Sequence, residues 1–406
     1  MSIIFLLILS LICIATFAEI CAFLLLKKQS RSTKPLFIDR EAFKQSRSFR
    51  AQALAQLFKH YMAHDSSLGF RIKANAAPFR FASRLKSKKF NSVKQLNLKN
   101  LFEISTDKYG FISNKKNQER DYLKIIQDPK IYRILVSGNS VSAGSGTSCS
   151  EANWPSILEE ILNSDKNFLK EKYEEVVVIN SSSLGNNLTQ EITKFQNETI
   201  YLKPHLVISF SGLVANYNYR GNPLDDLHSE QQKKVNDCLN ISWFYRQNFF
   251  LQNLKSYLVS TKYFNEHLSN FYPYRNKNYI EMSAAELFIS KIKQFKGICD
   301  SHKINFIFIF QPAMGSGEKV LTEYEEFSKK FFKRYFFGAE WEDYLKVFNQ
   351  YADHVRKNLT EKYQHDFMDI FKDVKETVYS DPRHIDDNGH KIVAQKISEL
   401  VTKEGN

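Results

Sequence analysis

A serine, an aspartate and a histidine stand in two short segments far apart in the chain. VSGNSVSAGSG at 136–146 contains Ser140, and SDPRHIDDNGHKIVAQKI at 380–397 contains Asp381 and His384. A free serine hydroxyl is a weak nucleophile near neutral pH and needs a base beside it. Histidine suits that task, because its unperturbed pKa of about 6.5 lets it take a proton and return it within one cycle. Asp381 and His384 lie three residues apart, so the carboxylate can hold one ring nitrogen while the other faces Ser140. The chemistry implied is nucleophilic attack by serine, with histidine as base and aspartate as its orienter. Rival readings of the glycine-serine turn fail on spacing. A P-loop would need glycine where Ala143 stands and a lysine after it, and Ser142 replaces the last glycine of a Gly-x-Ser-x-Gly elbow. Outside the apolar N-terminus the cysteines are Cys149, Cys238 and Cys299, too widely spaced for a zinc motif. No metal and no cofactor is expected. His390, on the same terminal segment as His384, is expected at the surface.

These residues need a scaffold that brings them together. IYRILV, EVVVIN, HLVISF and INFIFIF are largely apolar, as strands buried on both faces must be, and helical stretches lie between them. That alternation predicts an α/β fold: a mostly parallel sheet between two helical layers, with the site at the carboxyl ends of the strands. Ser140 then sits on the turn leaving the first of these strands. Asn153 and Pro155 mark the start of a helix through Leu162, and the last helix is expected to begin near Asp387 or Asn388 and end before Gly405. Residues 39–63 read as an amphipathic helix, with Ala51, Leu54, Leu57, Phe58 and Tyr61 on one side. The aromatic-rich insert at 217–279 exceeds what a connection needs and is expected to form a lid or substrate wall.

In the order and spacing of these motifs the chain resembles the SGNH (GDSL-like) hydrolases, over residues 64 to 401. Gly138, Asn139 and Ser140 stand where that family more often has Gly-Asp-Ser, and Asp381, His384 and Gly389 reproduce its closing block. FIFIFQP at 306–312 resembles its strand ending in Gln-Pro, while HDSSLGFRIKANA and TDKYGFIS resemble the lead-in of bacterial members with an N-terminal membrane segment. The resemblance implies a three-layer, flavodoxin-like α/β/α sandwich and a serine esterase acting on a small acyl ester, such as an O-acetyl group on a cell-envelope carbohydrate. It makes Gly185 the oxyanion-hole glycine beside the Ser140 backbone N–H. A glycine suits that place because no Cβ obstructs its N–H. Gly212 fits the family's Gly-x-Asn block, but Val214 stands where asparagine is expected, leaving Asn216 or Asn218 to supply the third donor. Acyl transfer to another sugar would use the same residues. A non-catalytic envelope protein on the same fold is the alternative that Val214 and Asn139 favour.

The apolar run from Ile3 to Leu26 is long enough to span a bilayer and is expected to be an uncleaved anchor. Three parts follow: the anchor at 1–26, a basic lead-in at 27–130, and the hydrolase-like domain at 131–406 with its insert. The basic KKQSRSTK after the anchor would keep the domain in the cytoplasm under the positive-inside rule, whereas the family resemblance places it on the outer side. Lysine and arginine number 57 against 44 acidic residues, a net charge of +13. The excess, including Arg71, Lys73 and Arg84, lies early and suits anionic headgroups. No nucleic-acid-reading motif accompanies it, so nucleic acid is not expected as a partner.

Overall fold

The computed structural model describes residues 62–65, 67–76, 79–80, 103–115, 119–169, 172–212, 284–326, 328–329 and 341–404, with scattered positions between 10 and 21. Two antiparallel pairs come first: β1 (Met62–Asp65) with β2 (Gly69–Ile72), and β3 (Phe79–Arg80) with β4 (Glu103–Ile104). Met62 and Ala63 thus belong to a strand and not to the amphipathic helix expected over 39–63, whose remainder lies outside the described residues. The local cause is the Asp65 carboxylate, which accepts the N–H groups of Ser67 and Leu68 at 2.9 and 2.8 Å and turns the chain back just before Gly69. Arg71 is not a free headgroup-binding cation. It pairs with Asp65 at 2.6 Å and with Glu198, fastening this hairpin to the main body.

The four apolar runs form β5 (Ile131–Gly138), β6 (Glu175–Asn180), β7 (Leu206–Ser211) and β8 (Asn305–Phe310), and β9 (Gln364–Asp366) completes the sheet. Every pairing is parallel, in the order β6-β5-β7-β8-β9. Numbered along the sheet's own strands this is 2-1-3-4-5, the doubly wound order whose switch point lies between β5 and β7. Among the helices are α1 (Tyr122–Gln127), α2 (Trp154–Ser164), α3 (Lys166–Leu169), α4 (Leu188–Asn197), α5 (Ala284–Ser301), α6 (Trp341–Lys357) and α7 (Asp387–Glu404). Strand alternation assigns them to faces. Phe210 of β7 meets Trp154 of α2, which packs on α7, while its neighbours Ser209 and Ser211 turn the other way and donate to Glu191 of α4. Phe306, Phe308 and Phe310, each two residues apart and so on one face of β8, meet Phe295 and Phe288 of α5 and Tyr351 of α6. Helices therefore cover both faces, as expected. Among the described residues no helix is long and apolar enough to cross a membrane. The expected anchor lies largely outside those residues, and the 217–279 insert wholly so.

Glu191 gives the core a pH dependence. Its buried carboxyl takes hydrogen bonds from Ser137 of β5 and from Ser209 and Ser211 of β7, and burial outweighs them, raising its pKa to about 8. Because the folded value lies above the ordinary 4.5, its stabilising contribution is complete below that pH and is lost as pH rises through about 8. Glu191→Gln, which imitates the protonated acid, is expected to be more stable than the wild type at pH 9 by an amount on the order of a few kcal/mol, with little difference at pH 5. Denaturant melts of both proteins at the two pH values check this.

Candidate active site

At the carboxyl end of β5 the chain must turn in little space. A Cβ on Gly138 would lie 2.6 Å from the Ser142 hydroxyl and 2.9 Å from the Phe210 carbonyl oxygen, so glycine is required there. Asn139 is buried and holds the turn in two directions. Its Oδ1 accepts the Val141 N–H at 3.0 Å, and its Nδ2 donates to Gln311 Oε1 at 2.7 Å, tying the turn to the end of β8. An aspartate at 139 would lack that donor, so Asn139 and Gln311 act as a matched pair. The turn closes with Ser145 N–H donating to the Ser140 carbonyl at 2.8 Å. Asn153 and Asn180 both donate to the Ser142 carbonyl, at 2.9 and 2.7 Å. Asn153 precedes α2 as expected but uses its side chain to hold the turn and not to cap the helix.

The second segment meets this turn from the start of α7. Ser140 Oγ lies 2.9 Å from His384 Nε2, and His384 Nδ1 lies 2.7 Å from Asp381 Oδ2. The other Asp381 oxygen accepts the N–H groups of Arg383 and His384, at 2.8 and 3.0 Å. Burial opposes ionisation of Asp381, but the His384 ring and these N–H donors outweigh it and hold the pKa below the ordinary 3.8. An ionised carboxylate only accepts hydrogen bonds, so Nδ1 carries the imidazole proton and Nε2 faces Ser140 as an acceptor. The arrangement can take a proton from the Ser140 hydroxyl.

Contacts that no short motif announces hold the two segments together. Asp387 accepts both the N–H and the hydroxyl of Ser148, at 2.8 and 2.6 Å. Gly146 has φ +100°, and a Cβ on it would lie 2.3 Å from the Ile385 carbonyl oxygen and 3.2 Å from His384 Cβ. Gly146→Ala must therefore push the histidine loop away. Because a misplacement of ~1 Å can cost on the order of 10²-fold, turnover is expected to fall by about that factor. Gly297→Ala on α5, where nothing lies within 4 Å of the new Cβ, should leave it unchanged. Steady-state kinetics on the two variants makes the comparison.

His390 corrects the expectation of a surface residue. It is fully buried, and its Nδ1 accepts the Trp154 N–H at 3.2 Å at the start of α2. Burial, with the nearby His384, lowers its pKa to about 3, so it stays neutral as a packing contact between α7 and α2.

The Gly185 turn lies beside this end of the sheet. Ser183 N–H donates to the Gly138 carbonyl at 3.1 Å, and Gly185 adopts φ +75° with its surface exposed. Among the described residues, the backbone N–H groups of Ser140 and Gly185 donate to no protein acceptor. Leu184 and Ala143 pack in one small cluster with Met62, Ile72, Ala76, Ile104 and Ile112, so the lead-in hairpins support both loops from behind. Gly212, at φ +148°, lies where a Cβ would meet the Phe310 ring at 2.5 Å. Val214, Asn216 and Asn218 lie outside the described residues. Among the described residues, no group of three or more His, Cys, Asp or Glu side chains could hold a metal ion.

No protein-family profile matches the chain, and no curated protein matches it. Among solved structures the chain is similar to an acetyl xylan esterase, AlAXEase, at 12% identity and a TM-score of 0.34, covering 66% of this chain and 99% of that one. It is similar to a GDSL-like lipase from Bacteroides thetaiotaomicron at 11% identity and a TM-score of 0.33, covering 67% and 88%. It is also similar to Axe2, an acetylxylan esterase from Geobacillus stearothermophilus, at 12% identity and a TM-score of 0.36, covering 66% and 94%.

Proposed function

We propose that this chain is a membrane-anchored serine esterase of SGNH type that hydrolyses a small acyl ester. The observation that carries the reading is the unbroken relay from Ser140 through His384 to Asp381 at 2.9 and 2.7 Å. Ser140 Oγ attacks the ester carbonyl while His384 Nε2 takes its proton. The negative charge on the carbonyl oxygen is met by the Ser140 and Gly185 N–H groups, with Asn216 or Asn218 as the third donor. His384 then protonates the departing alcohol, and a water repeats the sequence on the acyl-serine. Pre-set donors matter because each is worth ~10²–10³ in turnover.

The apolar run at 1–26 supports the anchor, and with the domain on the outer side an O-acetyl group on an envelope carbohydrate is the substrate class we assign. Transfer to a second sugar would use the same acyl-serine. Val214 in the Gly-x-Asn block favours a competing reading, a non-catalytic envelope protein on this fold. Turnover of p-nitrophenyl acetate by the full chain in detergent, compared with Ser140→Ala, separates the two. An esterase gives serine-dependent release, and a non-catalytic protein gives none.

A further inference from the structure

A cavity of about 600 Å³ opens at the opposite end of the sheet, where β5, β7 and β8 begin. The length of β5, eight residues, puts it roughly 25 Å from Ser140. Lys172, Lys203 and Lys303 line it together with His205 and His302, and among the described residues no aspartate or glutamate does. None of the three ammonium groups has a carboxylate partner among those residues, and Lys172 lies over the Tyr173 ring at 5.1 Å. Beneath them the Arg133 guanidinium is buried and donates to carbonyls, including Lys203 O at 2.8 Å and Ile131 O at 3.1 Å, and its Nη2 lies 3.2 Å from His205 Nε2. No described carboxylate bonds to it, and Asp128 acts on its charge only from beyond ion-pair distance. His205 sits between this guanidinium and a stacked Tyr132 ring, 5.1 Å away.

Backbone conformation adds a second observation. Lys203 and Lys303 have φ of +48° and +56°, in the left-handed region where glycine is the usual residue. Lys303 closes α5, with the Ile304 N–H donating to the Cys299 carbonyl at 2.9 Å, and Lys203 follows the short turn Thr199–Leu202. One lysine after a helix can be explained by the helix dipole. Two strained lysines from separate loops, opening with a third on one cavity that no described acidic residue lines, call for an anion.

We propose that this cavity is a second binding site, separate from Ser140, that takes a small multiply charged anion of the phosphate-ester class. The lysines meet the phosphate oxygens, and Phe168 and Tyr173 give the organic part an apolar wall. The test is to titrate pyrophosphate and glucose 6-phosphate into the full chain at constant ionic strength while following its melting temperature. A saturable rise with either probe is expected, in the wild type and equally in Ser140→Ala. In a Lys203→Gly, Lys303→Gly double variant the apparent affinity should weaken by at least about tenfold. That variant should melt no lower than the wild type without ligand, because glycine adopts these φ values without strain. No saturable rise with either probe, or one undiminished in the folded double variant, would overturn the proposal.

Discussion

Replacing Ser140 by alanine is expected to lower ester turnover by a factor on the order of 10⁴ to 10⁶ while leaving the melting temperature nearly unchanged. The effect on rate is large because, among the described residues, Ser140 carries the hydroxyl of this turn that lies on the His384 ring nitrogen. The effect on stability is small because, among the described residues, the hydroxyl bonds to His384 alone, at the partly exposed mouth of the sheet. Stopped-flow or steady-state release of p-nitrophenol, with circular-dichroism melts of both proteins, reads the two quantities separately. A variant that melts far below the wild type would show instead that Ser140 is part of the fold's support.

Asp381→Asn should cost on the order of 10⁴-fold in turnover, from the exchange of one oxygen for an amide nitrogen. Asn Oδ1 can still accept the Arg383 and His384 N–H groups, so the loop keeps its shape. The amide nitrogen, however, faces His384 Nδ1 as a donor. That ring nitrogen must then give up its hydrogen, Nε2 takes it, and the ring can no longer accept the Ser140 proton. Asp381 contributes in a second way, through pH. Its folded pKa is depressed, so its stabilising effect is present above 3.8 and is lost as pH falls below that value. Rates near neutral pH therefore should not vary with its ionisation. Kinetics of the wild type and of Asp381→Asn at pH 6 to 9 checks both points, and near-wild-type turnover in the variant would remove Asp381 from the relay.

The four long strands and the serine, histidine and aspartate were legible in the sequence for different reasons. Strands buried on both faces must be apolar throughout, and EVVVIN and INFIFIF show this without any partner in view. β9 escaped because its three residues, Gln364, His365 and Asp366, carry no apolar run; it is a strand only because β8 offers an edge. His390 was misread although its signal was present. His390, Val393, Ala394, Ile397 and Val401 are all buried at helical spacing, so the stripe that seats α7 includes the histidine. Gly146, Asn180 and Asp387 are of another kind. Each matters through contact with residues distant in sequence, and only the folded chain brings them together.

The most direct test of the serine's role is to expose the full chain to a serine-reactive fluorophosphonate and locate the adduct by peptide mass spectrometry. A single adduct on Ser140, formed by the wild type and slowed strongly in His384→Ala, is the predicted result. Folded wild-type protein that stays unlabelled, or that labels equally when Ser140 is alanine, would contradict a serine esterase.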